Sequence, residues 1–300
     1  MDDPDRAAPP TQSDQTDVVD GGGEDWRQLN ISFGDWAAAE TAAATHLAPI
    51  LHQARERGLI SAWFFVRKSP CWRLRYRPAG DPVEAADHLG RGLARLPDQA
   101  QITDTNIGIY EPETHAFGGM DGMAHAHQLF HTDSRHLLAH ISNTTHTGQL
   151  RHRRELAIVL CSALLRGAGL DWYEQGDVWA RVADHRVPGP TDGPLAAYRL
   201  DALEPSVRRL LTVDPAPLLA DSGPLNHVAD WYAEFTDAGT RIAALAATGR
   251  LYRGARAVLA HHVIFTWNRH GLPFAAQAAL SHTAKRVIFG PEPATNNATA

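Results

Sequence analysis

Residues Trp63 to Pro78, WFFVRKSPCWRLRYRP, constrain the fold more than any other stretch of the chain. Successive side chains of a strand point to opposite faces. In Trp72-Arg73-Leu74-Arg75-Tyr76-Arg77 the three arginines therefore share one face, and Trp72, Leu74 and Tyr76 take the other. Ser61–Arg67 reads as a second strand, and the connector Lys68-Ser69-Pro70-Cys71 predicts an antiparallel hairpin. The apolar face demands a packing partner. The opposite face places guanidiniums roughly 6–7 Å apart, and like charges at that spacing repel unless solvent or an anion screens them. The plain reading of such a stripe is a solvated polar face. The functional reading is an anion grip, because arginine holds carboxylates through two parallel bonds.

Around this hairpin the pattern is mixed. Leu29–Phe33 alternates as a strand, and Asp35 caps a helix from Trp36 to about Arg57 that Gly58 stops. A helix follows from about Pro82 to Leu96, then a strand from about Gln101 to Tyr110. From Gly122 onward helical spacing dominates, with candidates at 122–141, 149–168, 203–211, 224–248, 251–269 and 274–289, and a loop at Pro188–Pro194. Strands first and helices after predict an α+β fold, with a small mainly antiparallel sheet in the N-terminal half and a predominantly helical C-terminal half. The expected organisation is a disordered acidic tail at 1–24, one domain at 25–290 and a frayed tail at 291–300.

Charge narrows the function classes. Residues 1–24 hold seven acids against one base, which equals the whole net charge of −6. The remainder is balanced and lacks the diffuse basic footprint of a nucleic-acid-binding surface. No apolar run approaches a membrane span, and the N-terminus does not read as a secretory signal. Cys71 and Cys161 show no metal-type spacing and fit a reduced, cytoplasmic setting.

Several polar groups are candidates for chemistry. Tyr110-Glu111-Pro112-Glu113 ends a strand and leads into Phe117-Gly118-Gly119, and Glu111 or Glu113 could pair with the arginine strand. His125, His127 and His131 stand in AHAHQLFHTDS, with His127 and His131 on one helix face. Four-residue spacing suits zinc, but no cysteine or HExxH glutamate accompanies them, so packing or an acid–base role is favoured. Asp133-Ser134 lies beside them without a nucleophile elbow, which argues against a hydrolase. In HHVIFTWNR, His262, Thr266 and Arg269 form one helical stripe, a pattern that can supply a base and an anion holder. Asp171–Trp179 is aromatic and acidic, either a structural corner or a peptide-contact surface.

The collinear blocks WRQLNISF, WFFVRKSPCWRLRYRP, YEPETHAFGG, AHQLFHTDS, RRELAIVLCSALLRGAGLDWYEQGDVW and HHVIFTWNRHGLP resemble the lantibiotic dehydratase C-terminal family, also described as thiopeptide-type bacteriocin biosynthesis domains. The similarity spans most of residues 26–290. It implies elimination of glutamate from glutamylated Ser or Thr of a ribosomal precursor peptide, giving dehydroalanine or dehydrobutyrine. The runner-up is a pyridine synthase joining two dehydroalanines by formal aza-Diels–Alder cycloaddition with leader release. A non-catalytic precursor-binding member is the third reading.

By resemblance Arg73, Arg75 and His262 are the catalytic set, with His261 open as the alternative base. Arg67, Glu111, Glu113, His127 and Arg269 are expected to contact substrate, Arg67 extending the arginine face. The lantibiotic pattern sets its histidine closer to the Asn-Arg pair than His262 is to Asn268, and carries arginines where this chain reads YEPETHAFGG. No metal or other cofactor is implied. The implied partners are a precursor peptide and a separate glutamylating subunit that handles tRNA, with no membrane. A homodimer is left open.

Overall fold

The computed structural model describes residues 26–96, 101–145, 152–187 and 197–290. The expected tails at 1–24 and 291–300 and the loop at Pro188–Pro194 lie outside them. Four strands, β1 (Arg27–Phe33), β2 (Ile60–Lys68), β3 (Cys71–Pro78) and β4 (Ile102–Gly108), form one antiparallel sheet in the order β2-β3-β1-β4. The predicted hairpin is β2–β3, with Trp63 opposite Tyr76 and Phe65 opposite Leu74. The α+β class holds, with the sheet confined to the N-terminal half.

The two faces of the sheet carry different cores. Ile31, Trp63, Phe65, Trp72, Leu74 and Tyr76 point to one side and are buried. That side packs into the main core with Leu47 and Leu51 from the first helical segment and Leu89 from α3 (Pro82–Ala94). The first segment is α1 (Ala39–Ala42), a π-helical turn (Ala43–Leu47) and α2 (Ala48–Glu56). Asp35 accepts from the Ala37 N–H at 2.8 Å, so the expected cap turns the chain just before this helix rather than opening it at Trp36. The other side bears Phe64, Arg73 and Arg75, and meets a smaller aromatic cluster of Trp26, Phe64, Phe117 and Phe130.

α4 (Met120–Thr145) runs along the outer edge of β2. An edge strand presents open backbone groups that must be covered. Here Ser134 Oγ accepts from the Phe65 N–H at 3.3 Å, and His131 Nδ1 lies 2.8 Å from the Trp63 carbonyl oxygen.

The C-terminal half holds α5 (Arg153–Gly167), α6 (Trp172–Asp184), α7 (Ala197–Thr212), α8 (Ala216–Leu219), α9 (Ala229–Ala247), α10 (Ala255–Arg269) and α11 (Phe274–Phe289). Every residue from Leu156 to Leu165 is buried, which makes α5 the central helix. Glycine brings α9 against it: a Cβ on Gly239 would fall 2.1 Å from the Leu164 carbonyl oxygen. Residues 171–179, read from sequence as a corner or a contact surface, start α6. Asp171 and Glu174 make a reciprocal capping box that satisfies two N-terminal donors.

Candidate functional site

The arginine face is built by β3 and closed at its sides by the loop after β4 and by the start of α4. Arg73 and Arg75 are half-buried and Arg77 is exposed. Arg75 donates Nε–H to Gln28 Oε1 at 2.9 Å, and its guanidinium lies 4.2 Å from the centre of the Tyr110 ring and 5.4 Å from that of Phe64. Burial brings its pKa down to about 10, with Tyr110 and Glu113 opposing and Arg73 adding to the drop. It stays charged at neutral pH. The Arg73 side chain has no hydrogen bond or ion pair among the described residues. Arg77 donates to Ser61 Oγ at 2.8 Å at the solvent edge.

Tyr110 connects the arginines to α4. Its hydroxyl lies 2.7 Å from His127 Nε2, and Trp26 covers the His127 ring at 4.4 Å. Burial, then the charges of Arg75 and Arg77, drives His127 down to about 3, while burial raises the Tyr110 hydroxyl above its ordinary value. Both groups are neutral at physiological pH. Glu113 acts on Arg75 by charge, but neither Glu111 nor Glu113 forms an ion pair with the arginine strand among the described residues. The ion pair expected from sequence is thus replaced by a Tyr110 ring against Arg75. Tyr110, Trp26 and Gln28 were missed as site residues. Tyr110 carried a signal, since it opens the YEPETHAFGG block.

His262 is fully enclosed on α10. Phe117 meets its ring edge-on at 4.9 Å, Phe130 lies 6.1 Å away, and neither ring nitrogen has a hydrogen-bond partner. Burial, then Arg269 and His261, brings its pKa down to about 3. Buried polar groups are nearly always paired, and exceptions concentrate at functional sites. His261 instead sits half-buried with Nδ1 3.1 Å from the Ala257 carbonyl oxygen.

Two expectations are corrected by the strand register and by a buried ion pair. Arg67 pairs with Trp72, so it projects from the face opposite Arg73 and Arg75 and cannot extend their grip. Its guanidinium stacks 4.7 Å from the Trp72 ring and pairs with Glu40. Arg269 is committed to the core by an ion pair rather than presented to substrate: its Nε–H donates to Asp133 Oδ2 at 2.6 Å. His125, His127 and His131 do not converge as a metal site, because His127 turns to Tyr110 and His131 to the β2 backbone. No group of three metal-ligating side chains occurs among the described residues, and no helix there is long and apolar enough to cross a membrane.

The small antiparallel sheet backed by a helical half matches a known class. The family model for the C-terminal part of lantibiotic biosynthesis dehydratases covers residues 26–288, and the chain belongs to this family. Among solved structures, the tRNA-dependent lantibiotic dehydratase MibB from Microbispora sp. 107891 superposes with a TM-score of 0.66 at 18% identity over 93% of this chain. The chain spans 28% of the length of MibB. TsrL superposes with a TM-score of 0.61 at 16% identity, over 87% of this chain and 94% of TsrL. At these identities the likeness is one of fold. No curated protein matches the chain.

Proposed function

We propose that the chain carries out the elimination half of a split peptide dehydratase, expelling glutamate from glutamylated Ser or Thr of a precursor peptide. The observation that carries this reading is the arginine face. Arg73 and Arg75 stand together, no carboxylate neutralises Arg73 among the described residues, and the leaving group is a carboxylate. A base removes the α-proton, the C–H electron pair becomes the new double bond, and the Cβ–O bond breaks toward the departing glutamate. Arg73 and Arg75 stabilise the charge that develops there.

His262 is the base we favour among the histidines, because both its ring nitrogens are unengaged whereas His127 Nε2 is committed to Tyr110. Sealed in, its pKa of about 3 makes it a weak base, so the role requires that substrate and solvent at the ring lift that burial penalty. Phe117 meets the His262 ring edge-on at 4.9 Å, so this role requires that Phe117 move aside for substrate. The partners are the precursor peptide and a separate subunit that installs the glutamyl ester, and no cofactor enters.

The Tyr110–His127 contact favours a second reading. It is a neutral pair that could relay a proton beside Arg75, and a cycloaddition of two dehydroalanines needs proton transfer but no carboxylate holder. Mass spectrometry of a glutamylated precursor incubated with the full chain separates the two. Loss of one glutamic acid per modified site supports elimination. An unchanged ester, with ring formation and leader loss from a bis-dehydroalanine peptide, overturns it in favour of cycloaddition.

A further inference from the structure

The polar side of the sheet carries a chain of hydrogen bonds that ends on Arg75. Arg75 donates Nε–H to Gln28 Oε1 at 2.9 Å. Gln28 Nε2 donates to Asn30 Oδ1 at 3.0 Å, Asn30 Nδ2 to Asn106 Oδ1 at 2.8 Å, and Asn106 Nδ2 to Asp104 Oδ2 at 3.1 Å. The strand register builds this chain. Gln28 stands opposite Arg75 and Asn30 opposite Asn106, and positions two apart on one strand share a face. Gly108, opposite Gln28 on β4, leaves the amides their room: a Cβ there would fall 2.6 Å from Gln28 Nε2 and 3.0 Å from Asn30 Nδ2.

All four bonds run the same way. A guanidinium only donates and a carboxylate only accepts, so the two charged ends impose one direction on the three amides between them. Each amide turns its oxygen toward Arg75, and a reversed Gln28 would set its NH2 group against the Arg75 Nε–H. Aligned hydrogen bonds strengthen one another where water is scarce, and Gln28 is buried. The Tyr110 ring lies 4.2 Å from the guanidinium carbon and bounds the face of its plane. Nη1 and Nη2 of the half-buried Arg75 make no hydrogen bond or ion pair among the described residues. The grip on Nε therefore leaves the far end of the guanidinium free for an anion.

We propose that Gln28 is a positioning residue for Arg75, oriented by the Asn30–Asn106–Asp104 relay, so that the Nη1–Nη2 end of Arg75 faces the departing carboxylate. The identity of that anion rests on the elimination reading.

The test combines single-turnover elimination from a glutamylated precursor with the Arg75 Nε–H signal of the full chain in proton–nitrogen correlation NMR, assigned by its loss in Arg75→Lys. Gln28→Met keeps the size and the net charge and removes the acceptor. The rate at saturating peptide should fall at least tenfold with the half-saturating concentration unchanged, and the Nε–H should exchange with solvent at least tenfold faster. Asp104→Asn, at the exposed end where folding is not at stake, separates charge from relay by sign. Losing a carboxylate near the arginines strengthens their hold on an anion, whereas losing the end that imposes direction loosens Arg75. A several-fold fall in rate with faster Nε–H exchange is expected, and it decides the matter if Gln28→Met does not fold. In an Arg75→Ala background neither change should lower the rate further. The relay is overturned if Nε–H exchange matches the parent in both variants, if Asp104→Asn speeds elimination, or if either change costs as much without Arg75 as with it. A parent that leaves the ester intact overturns the elimination reading instead, and Nε–H exchange then still decides the relay.

Discussion

Arg269 and Asp133 meet at 2.6 Å with both side chains fully enclosed. Asp133 Oδ1 also accepts from Trp231 Nε1 and lies against His270 Nε2, each at 3.1 Å. One carboxylate on α4 therefore ties down α9 and the end of α10. The Asn268-Arg269 pair thus serves the helical core, and that core holds His262 beside the aromatic cluster of the arginine face.

Asp133→Ala strands the Arg269 charge in the interior and should destabilise the chain by about 3–5 kcal/mol. Asp133→Leu combined with Arg269→Met removes both charges and should recover much of that loss. Urea denaturation of the three proteins measures it. A double variant no more stable than Asp133→Ala would show that the pair is more than an anchor.

His262→Phe separates catalysis from packing. The replacement suits the cage of Phe117 and Phe130 and removes two unpaired buried nitrogens. The variant should be at least as stable as the parent, and elimination should fall by about 10²–10⁴-fold, the usual loss of a general base. Retained turnover in a single-turnover assay would move the base to His127 or His261.

The hairpin and its two faces were legible because strand alternation is a local property of Trp72–Arg77. The hairpin was legible but its consequence for Arg67 was missed, so Arg67 was grouped with Arg73 and Arg75. The four-residue connector Lys68–Cys71 sets Arg67 opposite Trp72 and so on the face away from Arg73 and Arg75. The role of Arg269 was hidden for a different reason. Its partner Asp133 lies 136 residues away, and no local pattern encodes that contact. The start of α6 was readable and was missed: Asp171 followed by Glu174 is a capping box.

Arg73→Ala should leave precursor binding intact and let the glutamylated peptide accumulate. Removing one preorganised stabiliser of developing negative charge lowers turnover by about 10²–10³-fold. Because Arg73 has no partner among the described residues, folding should be unaffected. Quantifying the ester by mass spectrometry beside a peptide-binding titration checks this. Loss of binding with normal turnover of whatever binds would make the face a docking surface.

Acid should destabilise this protein well above the carboxylate range. Burial holds His127 and His262 at about 3 and His131 at about 4, each below the ordinary histidine value of 6.5. In each case the unfolded chain binds the proton that the folded chain refuses. Their stabilising balance is therefore intact above about pH 6.5 and declines as pH falls from there toward the folded values. At pH 5.5 each of the three costs on the order of 1 kcal/mol. Asp133 and Glu40, both held below their ordinary values by arginines despite burial, add a further loss in the same direction at lower pH. Urea midpoints measured from pH 7.5 to 5.0 should fall steadily. A flat profile would mean that these histidines accept protons in the folded state, and His262 would then not be the sealed, neutral base proposed for the elimination.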